Sequence, residues 1–350
     1  MRLLILGTGG IANTHAQAFA EIPGVDVAGC ADVDPARAEA FAAEHGIPQT
    51  WTSLTEALAE GDFDALANST PDAVHYPTTM EALHAGLHVL CEKPLATNAE
   101  HARAMTEMAE SKGVVNGVNL TYRNVPALQA AREIVAEGRL GDIRHFEAAY
   151  LQSWLTQPAW GDWRTEEAWL WRLSSKHGSL GALGDIGIHL FDFLTFAAGS
   201  DIASIQAALT TFPKVEGDRI GPYVMDANDS FTMTARLANG ASGVLHATRF
   251  APGHINDLSL RLFGTGGGIE LTNTGDLGTL RVCEGDDLVT GTWRDVPLSP
   301  VKSNFVRFAE AVLGGPGMQP DFRTAYRLQH VIDAAHMLPH GEVTLEGGKF

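Results

Sequence analysis

The chain has 350 residues, of which 45% are hydrophobic and 19% are charged, a balance typical of a globular protein large enough for two domains. The formal net charge of -18 argues against a nucleic acid or an anionic membrane surface as a partner. The three cysteines lie far apart and form no CxxC pair, which argues against a disulfide framework and against a metal site, and favours a reducing compartment.

The amino-terminal stretch "MRLLILGTGG" carries an apolar run that is too short for the core of a signal peptide. No other apolar run is long enough to span a bilayer. We therefore expect a cytoplasmic protein that has neither a membrane nor a nucleic acid as a partner.

Short apolar runs alternate with helix-like segments over the first third of the chain. The runs are "RLLIL", "VDVAGCAD", "FDALANST", "HVLCE" and "VVNGVN". Of the helices predicted between these runs, the first ends near residue 19, and the others cover residues 35–45, 74–85 and 99–112. Strands that alternate with helices indicate a parallel, doubly wound sheet of the Rossmann type. We assign residues 1–120 to this first domain.

The pattern changes after a predicted helix at residues 125–137. "DIRHFEAAYLQ", "DSFTMTARL", "ASGVLHATRF", "LSLRLFG" and "GIELTN" predict an open, mostly antiparallel sheet with one covered face. Residues 121–350 are therefore predicted to form a second α/β domain, and helices predicted at 304–313 and 323–337 are expected to pack back on the first domain. An exposed sheet face favours a homodimer or homotetramer, although the sheet's own helices are an alternative cover.

The stretch "GTGGIA" joins the first predicted strand to the first helix and fits the pattern G-x-G-x-x-A. Gly7 permits the turn, Gly9 lets the backbone approach a pyrophosphate, and Ala12 allows close packing of helix and strand. The amino terminus of the helix then receives the phosphates. Glycines also occur in ordinary turns, so this motif depends on its context. Its candidate cofactor-binding residues are Gly7, Thr8, Gly9, Gly10 and Ile11.

The second strand ends at Asp32, roughly twenty residues beyond the loop, where a carboxylate accepts hydrogen bonds from a ribose. A carboxylate there repels a 2′-phosphate, so NAD is favoured over NADP, and the nearby Arg37 moderates this preference. The alternative is that Asp32 is a turn residue; Asp34, before Pro35, is the better helix cap. With strand, loop, helix and acid in this order, dinucleotide binding is the stronger interpretation.

Two further motifs carry candidate catalytic groups. Lys93 in "VLCEKPLA" follows an apolar strand at the sheet edge where ligands of such folds bind. In "GALGDIGIHLFDF", Asp185 and His189 lie four positions apart and share a helix face, and Gly181 and Gly184 suit the close approach of a ligand. Histidine has the pKa to move an alcohol proton, and a lysine stabilises developing alkoxide charge. Each motif alone has a structural alternative; their occurrence together behind a nucleotide fold favours catalysis.

The motifs "GTGGIA", "STPDAVH", "CEKPLA" and "GALGDIGIHLFD" together resemble the glucose–fructose oxidoreductase/inositol dehydrogenase/MocA family, over essentially the whole chain. The resemblance implies that His189 is the general base, that Asp185 orients substrate and base, and that Lys93 contacts substrate and nicotinamide. It also implies a set of residues around the cofactor, namely Ser69, Thr70, Pro71, His75, Glu92 and Asn119. By the same resemblance, residues 1–120 bind NAD(P), and residues 121–350 bind the substrate and serve oligomerisation. The stretch "GSLGALGD" replaces the family's usual triple glycine.

A cluster of tryptophans precedes the Asp185 motif, and polar side chains lie among them. Such a set suits a hydroxylated ring, although a hydrophobic clamp over the sheet is an equal alternative. "AAYLQSW" and "HATRFAPGHIND" resemble the family branch that acts on sugars and cyclic polyols, including anhydrosugars and inositols. The candidate substrate-binding residues are Arg123, Gln152, Trp154 and Arg172, with Arg249, His254 and Asn256 as possible rim groups.

We therefore predict an NAD(P)-dependent oxidoreductase that transfers a hydride reversibly between nicotinamide and a secondary alcohol of a sugar, anhydrosugar or cyclic polyol. Two alternatives remain open at this point: a non-catalytic, NAD-responsive regulator of the same family, and a reductase of a non-sugar ring.

Overall fold

The computed structural model describes residues 1–158, 160–337 and 342–344. The chain divides into two compact units, the first made of Met1–Thr121 with Lys302–His330 and the second of Tyr122–Val301 with the residues from Val331 onward. The last residues of the predicted second domain, 345–350, lie outside the described ones.

The helices in chain order are α1 (Gly10–Ala20), α2 (Pro35–His45), α3 (Leu54–Glu60), α4 (His75–His84), α5 (Ala99–Lys112), α6 (Pro126–Ala136), α7 (Glu167–Leu170), α8 (Ile188–Ala198), α9 (Asp287–Thr290), α10 (Asn304–Val312) and α11 (Phe322–Met337). The strands are β1 (Arg2–Leu6), β2 (Asp26–Ala31), β3 (Thr50–Trp51), β4 (Ala65–Asn68), β5 (His88–Cys91), β6 (Asn116–Val118), β7 (Ile143–Gln152), β8 (Ile202–Thr210), β9 (Arg219–Ile220), β10 (Tyr223–Val224), β11 (Ser230–Leu237), β12 (Ser242–Thr248), β13 (Asn256–Gly264), β14 (Gly267–Thr272), β15 (Thr279–Glu284), β16 (Arg294–Asp295) and β17 (Glu342–Thr344).

The first unit contains a parallel sheet with the strand order β3-β2-β1-β4-β5-β6, which is the doubly wound Rossmann arrangement. The predicted fold of this half is confirmed. Two short elements, β3 and α3, have no counterpart in the prediction. In consequence Lys93 follows the fifth strand of the sheet, whereas the run before it, "HVLCE", is the fourth of the predicted strands.

Local sequence sets the limits of the helices in this unit. The carboxylate of Asp34 accepts hydrogen bonds from the amides of Ala36 and Arg37, so it caps α2, as predicted. Gly46 ends the same helix in the left-handed conformation. By contrast, Gly9 at the start of α1 supplies no side-chain cap. The amino terminus of α1 therefore keeps backbone donors for another acceptor.

The core of the first unit is built from both ends of the chain. Phe19 of α1 packs edge-on against Phe305 and Phe308 of α10, with ring centroids 5.3 and 6.3 Å apart. All three rings are buried. The late segment Lys302–His330 thus belongs to the hydrophobic core that holds the parallel sheet.

The second unit contains a larger sheet with the order β16-β15-β14-β13-β7-β12-β11-β8-β17. Its pairs are antiparallel except for β7 with β12, which run parallel. Burial alternates along β11 and β12, so one face of the sheet is covered and the other is exposed. Helices α6 and α8 pack against this sheet. The predicted open, mostly antiparallel sheet is confirmed.

Among the described residues, no helix combines the length and the apolar character needed to cross a membrane. The same residues contain no group of three or more His, Cys, Asp or Glu side chains arranged to hold a metal ion. Cys30, Cys91 and Cys283 are all buried.

Candidate active site

The loops that follow the parallel strands meet at the carboxyl edge of the first sheet. The amide of Gly7 donates to the carbonyl of Ala31, and the amide of Ser69 donates to that of Leu6. The amide of Glu92 donates to the carbonyl of Asn68. The loops after β1, β2, β4 and β5 are thereby placed side by side. This is the edge at which doubly wound sheets bind ligands.

The loop after β1 has the shape that a pyrophosphate requires. Gly7 has φ of +82°, and a Cβ there would meet the Ser69 carbonyl oxygen at 2.9 Å. A Cβ on Gly9 or Gly10 would meet nothing within 4 Å, so the backbone faces open space at the uncapped start of α1. Ala12 is fully buried where the helix packs on the sheet. These residues fit the phosphates of a dinucleotide.

Asp32, at the end of β2, is held as a carboxylate beside this loop. Its Oδ2 accepts hydrogen bonds from the amide and the hydroxyl of Thr8, at 2.8 and 3.0 Å. Its Oδ1 accepts from the amide of Asp34 at 3.0 Å and lies 3.0 Å from Nη2 of Arg37. Burial acts to raise the pKa of Asp32, but these donors and Arg37 outweigh it and the pKa is lowered. The predicted ribose acceptor therefore stays charged.

The segment after β4 lies at the same edge. Ser69 donates its hydroxyl to the carbonyls of Leu6 and Gly7, and Thr70 donates its own to Oδ1 of Asn68 at 2.7 Å. Pro71 stands at the start of a short turn that leads into α4. Ser69, Thr70 and Pro71 thus line the loop that the sequence assigns to the cofactor.

His75 does not fit its predicted role as a cofactor contact. The side chain is fully buried, and both ring nitrogens lie against protein carbonyl oxygens. The imidazole therefore connects two loops from within the unit, and no polar atom of the ring is left to face a cofactor.

Glu92 and Asn119 form a buried network next to Lys93. Glu92 Oε1 accepts from Nδ2 of Asn119 and contacts Nε2 of His15, both at 2.7 Å, and Oε2 accepts from the amide of Lys93 at 3.2 Å. Nδ2 of Asn304 in α10 lies 3.2 Å from Oδ1 of Asn119. Burial acts to raise the pKa of Glu92, but His15, Asn119 and the Lys93 amide lower it overall.

His15 and Asn304 are members of this network that the sequence did not reveal. His15 is separated from Glu92 by 77 positions and Asn304 from Asn119 by 185, so no local pattern links them. Together they fix the carboxylate that holds the backbone of Lys93, whose side chain is half-buried. The structure thus brings the predicted cofactor residues and Lys93 to one sheet edge of the first unit.

In the second unit, Asp185 and His189 lie where a π-helical turn passes into an α-helix. Asp185 belongs to the π turn Leu183–Gly187 and His189 to the first turn of α8. The prediction of one regular helix face is therefore corrected, because a π turn places successive residues at different angles from an α turn. His189 is 7% exposed, and its ring meets the Tyr122 ring edge-on, with centroids 5.1 Å apart.

Gly181, before this turn, and Gly184, within it, serve packing within the protein and not the approach of a ligand, which corrects the prediction. A Cβ on Gly181, whose φ is +65°, would meet the Asn228 carbonyl oxygen at 2.3 Å. A Cβ on Gly184 would meet Cβ of Leu180 at 2.6 Å. Asn228 also accepts a hydrogen bond from the amide of Leu183 at 3.0 Å. Asn228 thus shapes the turn that carries Asp185.

Arg249, predicted as a rim group, is instead a fully buried anchor for Asp185. Its Nη2 donates to Oδ2 of Asp185 at 2.9 Å. The guanidinium also donates to the carbonyls of Arg172 and Gly181, both at 3.2 Å, and lies 4.9 Å from the centroid of a Trp154 ring. The Asp185 side chain keeps 28% exposure, so the carboxylate is both fixed and accessible.

A cluster of polar side chains surrounds Tyr122, the residue that touches His189. Trp154 donates from Nε1 to Oε1 of Gln152 at 3.2 Å, and Gln152 donates from Nε2 to Oδ1 of Asn256 at 2.9 Å. Asn256 donates to the Tyr122 hydroxyl at 2.6 Å, and the Tyr150 hydroxyl contacts both. The structure thus joins the predicted Gln152 and Trp154 to Asn256, and adds Tyr150.

The tyrosines of this cluster remain neutral donors. Burial raises the pKa of Tyr122, and burial together with Tyr122 raises that of Tyr150. Two neutral phenols, an amide pair and an indole next to His189 provide hydrogen-bond donors and acceptors with aromatic surface. That combination suits a ring that carries hydroxyl groups.

Arg123 does not belong to this set, although the sequence placed it with the substrate residues. Its Nε and Nη2 donate to the two carboxylate oxygens of Asp192, each at 2.7 Å. Both side chains are buried, and the guanidinium lies 3.7 Å from the centroid of the Phe196 ring. Arg123 therefore ties the turn after β6 to α8 and stabilises the fold.

The tryptophans differ in burial, which separates those that fit a hydrophobic clamp from those that remain accessible to a substrate. Trp154 and Trp163 are buried in a hydrophobic cluster with Leu155, Leu170 and Leu173, as a clamp over the sheet would be. Trp169 and Trp171 are partly exposed, and the guanidinium of Arg172 lies 5.3 and 4.6 Å from their rings. Arg172 stacks on indoles, and its role toward a substrate stays a prediction.

The glycine loop and the Asp32 carboxylate at the carboxyl edge of the first sheet are features of a dinucleotide-binding fold, as found in nicotinamide-dependent oxidoreductases. Residues 1–120 match the model of the oxidoreductase family with an NAD-binding Rossmann fold, and residues 128–270 match that of the GFO/IDH/MocA C-terminal domain. The chain belongs to the glucose–fructose oxidoreductase/inositol dehydrogenase/MocA family, as its motifs predicted.

Relatives in this family include dehydrogenases and reductases. Levoglucosan dehydrogenase of Pseudarthrobacter phenanthrenivorans is 29% identical over 287 residues, which cover 76% of this chain and 72% of that protein. The 1,5-anhydro-D-fructose reductase of Ensifer adhaerens is 35% identical over 206 residues, which cover 58% of each. A structure of levoglucosan dehydrogenase in complex with NADH and L-sorbose superposes with a TM-score of 0.85 at 25% identity, covering 99% of this chain and 98% of that one.

Proposed function

We propose that this oxidoreductase oxidises a secondary alcohol of a sugar-like ring, with an anhydrosugar as the preferred class, and that NAD is its preferred cofactor. The observation that carries the proposal is the accessible Asp185 carboxylate, fixed by the buried Arg249, in the unit that also holds His189 and the polar aromatic cluster. The relatives that act on levoglucosan and 1,5-anhydro-D-fructose support the anhydrosugar class.

The mechanism assigns one proton and one hydride to separate acceptors. His189 accepts the hydroxyl proton of the substrate as the alcohol carbon becomes a carbonyl carbon. Lys93 donates a hydrogen bond to the substrate oxygen and stabilises its developing charge. Asp185 orients the substrate hydroxyl and the imidazole. When bound, the nicotinamide cofactor supplies the acceptor for the hydride that leaves the carbon.

The preference for NAD depends on the charge at the ribose position. Asp32 is held as an anion by four donors, and an anion there repels a 2′-phosphate. Arg37 and the Asp34 amide both contact Oδ1 of this carboxylate, so Asp32 already neutralises part of the positive charge of Arg37. We therefore infer that NADP is used weakly rather than fully excluded.

The test is a substrate panel measured by the absorbance of reduced nicotinamide, with NAD and NADP in parallel. The panel contains levoglucosan, 1,5-anhydro-sugars, aldoses, inositols and, as a non-sugar ring, a trans-dihydrodiol. We expect turnover of an anhydrosugar with NAD. Turnover of the dihydrodiol alone would assign the enzyme to non-sugar rings, and no turnover of any compound would contradict the proposed function.

Variants connect that turnover to the proposed residues. Lys93→Ala and His189→Ala should each abolish turnover and leave NAD affinity within about a few-fold, because neither side chain is needed for phosphate binding. His84→Gln, at an exposed position at the end of α4, is the matched control. Retained turnover in both alanine variants would remove the catalytic assignment.

A further inference from the structure

His75 is a buried histidine that joins two loops of the carboxyl sheet edge. Its Nδ1 lies 2.7 Å from the carbonyl oxygen of Pro94, and its Nε2 lies 2.8 Å from the carbonyl oxygen of Thr70. The side chain is 0% exposed, so water does not substitute for either partner. Pro94 directly follows Lys93, and Thr70 belongs to the loop assigned to the cofactor.

The chemistry of these two contacts fixes the protonation state of the ring. A carbonyl oxygen only accepts hydrogen bonds, whereas a neutral imidazole carries one N–H and one lone pair. In the neutral ring, one contact would set a nitrogen lone pair against a carbonyl oxygen in a buried position, which is costly. Only the doubly protonated imidazolium donates to both carbonyls.

The groups around the ring favour this charge. Burial acts to lower the pKa of His75, but the charge of Cys91 in its thiolate form, a hydrogen bond with Cys91, the Pro94 carbonyl and the charge of Asp72 raise it to about 9. The two carbonyl acceptors and this direction of shift together favour the charged ring at neutral pH.

The Thr70 side of the bridge is anchored independently. Oδ1 of Asn68 accepts from the amide of Thr70 at 3.2 Å and from its hydroxyl at 2.7 Å. Nδ2 of Asn68 in turn donates to the hydroxyls of Thr78 and Thr79 in α4, the helix that begins with His75. Because His75 is held at this fixed site, its hydrogen bond to the Pro94 carbonyl also fixes the segment that contains Lys93.

We propose that His75 is a positioning residue, held as an imidazolium, that fixes the Lys93–Pro94 segment against the Thr70 loop. The imidazolium touches no reacting atom; it acts through the backbone that presents the Lys93 amine. The effect of His75 on turnover rests on the proposed function of Lys93. The charge of the ring and its two hydrogen bonds do not depend on that function.

The charge is tested directly by nitrogen NMR of protein labelled with ¹⁵N-histidine. The His75 signals are assigned by their loss in His75→Gln. We expect both ring nitrogens to carry a proton from pH 6 to pH 8 and to titrate near pH 9. His246 of β12, whose pKa burial lowers from 6.5, is the internal control and should be neutral at pH 7.5. A neutral His75 ring at pH 7 would overturn the inference whatever the substrate proves to be.

The positioning role is tested by kinetics and by structure. His75→Gln offers one donor and places an acceptor oxygen against the second carbonyl. We expect kcat to fall about tenfold, as for the loss of a charge-assisted hydrogen bond, while KM for NAD changes less than about threefold. The wild-type enzyme should also lose kcat above pH 9, and this loss should be absent from the variant. An unchanged kcat in His75→Gln overturns the positioning role.

A crystal structure of His75→Gln separates this inference from the proposed function. We expect the Pro94 carbonyl to move away from Thr70 and the Lys93 backbone to move with it. If no substrate in the panel is turned over, the proposed function fails, but the NMR and the crystal structure still decide the role of His75. An unmoved Lys93–Pro94 segment in that crystal would contradict the inference.

Discussion

Arg249 Nη2 lies 2.9 Å from Asp185 Oδ2, and the two side chains differ in their exposure to solvent. The arginine side chain is fully buried, whereas the aspartate side chain keeps 28% exposure. The arginine is thus the fixed partner, and the carboxylate is the one that can meet a substrate.

We expect Arg249→Met to lower kcat about tenfold or more, because Asp185 loses the donor that orients its carboxylate. Arg249→Lys keeps the charge but not the fork that also reaches Arg172 and Gly181, so an intermediate loss is expected. Steady-state kinetics measures both effects, with Arg236→Met on the exposed face of β11 as the control. Retention of kcat within about twofold in Arg249→Met would contradict an orienting role.

We expect Asp32→Ser to raise the ratio of kcat/KM for NADP over NAD at least about tenfold. The substitution removes an anion that repels the 2′-phosphate and releases Arg37 from its 3.0 Å ion pair. Arg37→Gln should shift the ratio in the opposite direction, toward NAD. Initial rates with both cofactors give the ratio, and an unchanged ratio in Asp32→Ser would show that another group selects the cofactor.

We expect Asp192→Asn to lower the free energy of unfolding of the second unit by about 3–5 kcal/mol, because it leaves the buried guanidinium of Arg123 without its counter-charge. Arg123→Met should cost a similar amount. The double variant Arg123→Met/Asp192→Leu should recover most of this loss, since neither charge remains buried. Urea unfolding of the wild type, the two single variants and the double variant gives a double-mutant cycle. Losses that add up in the double variant would argue against a stabilising interaction between Arg123 and Asp192.

We expect Glu92→Gln to be less stable than the wild type at pH 7, with a difference that shrinks in acid. The folded-state pKa of Glu92 lies below its ordinary value of 4.5, so the carboxylate stabilises the fold fully above that pH. This contribution is lost as the pH falls from 4.5 through the folded-state pKa. Thermal unfolding from pH 7 to pH 3.5 measures it, with Glu44→Gln at an exposed site as the control. A difference that grows in acid would reverse the sign of the linkage.

Much of the first unit was predictable because the sequence signals for its strands and loops lie close together along the chain. Five of the six strands of the parallel sheet lie in apolar runs, and the loops after the first two carry residues at fixed distances along the chain, such as Gly7 and Asp32. The two-residue β3 and the seven-residue α3 were missed because elements this short produce little periodic signal. The predicted helix at residues 35–45 agrees with α2 because Asp34 and Gly46 mark its two ends.

The substrate half was less predictable because its contacts join residues that are remote in the sequence. Arg249 meets Asp185 across 64 positions, and Asn256 meets Gln152 across 104. Only the pairing of β13 with β7 places Asn256 opposite Gln152, and sequence alone does not fix that register. For the same reason, Arg123 was taken for a substrate-binding residue: its partner Asp192 lies 69 positions away.

The sequestered thiols make this enzyme well suited to site-specific labelling. All three cysteines are shielded by the fold, and burial together with Asp32 raises the pKa of Cys30 to about 11, so maleimide reagents should leave the native protein unmodified. A Val33→Cys substitution would then create a single reactive attachment point, because Val33 is 86% exposed and stands directly beside Asp32. A fluorophore placed there would report the arrival of a nucleotide in real time without any need for turnover.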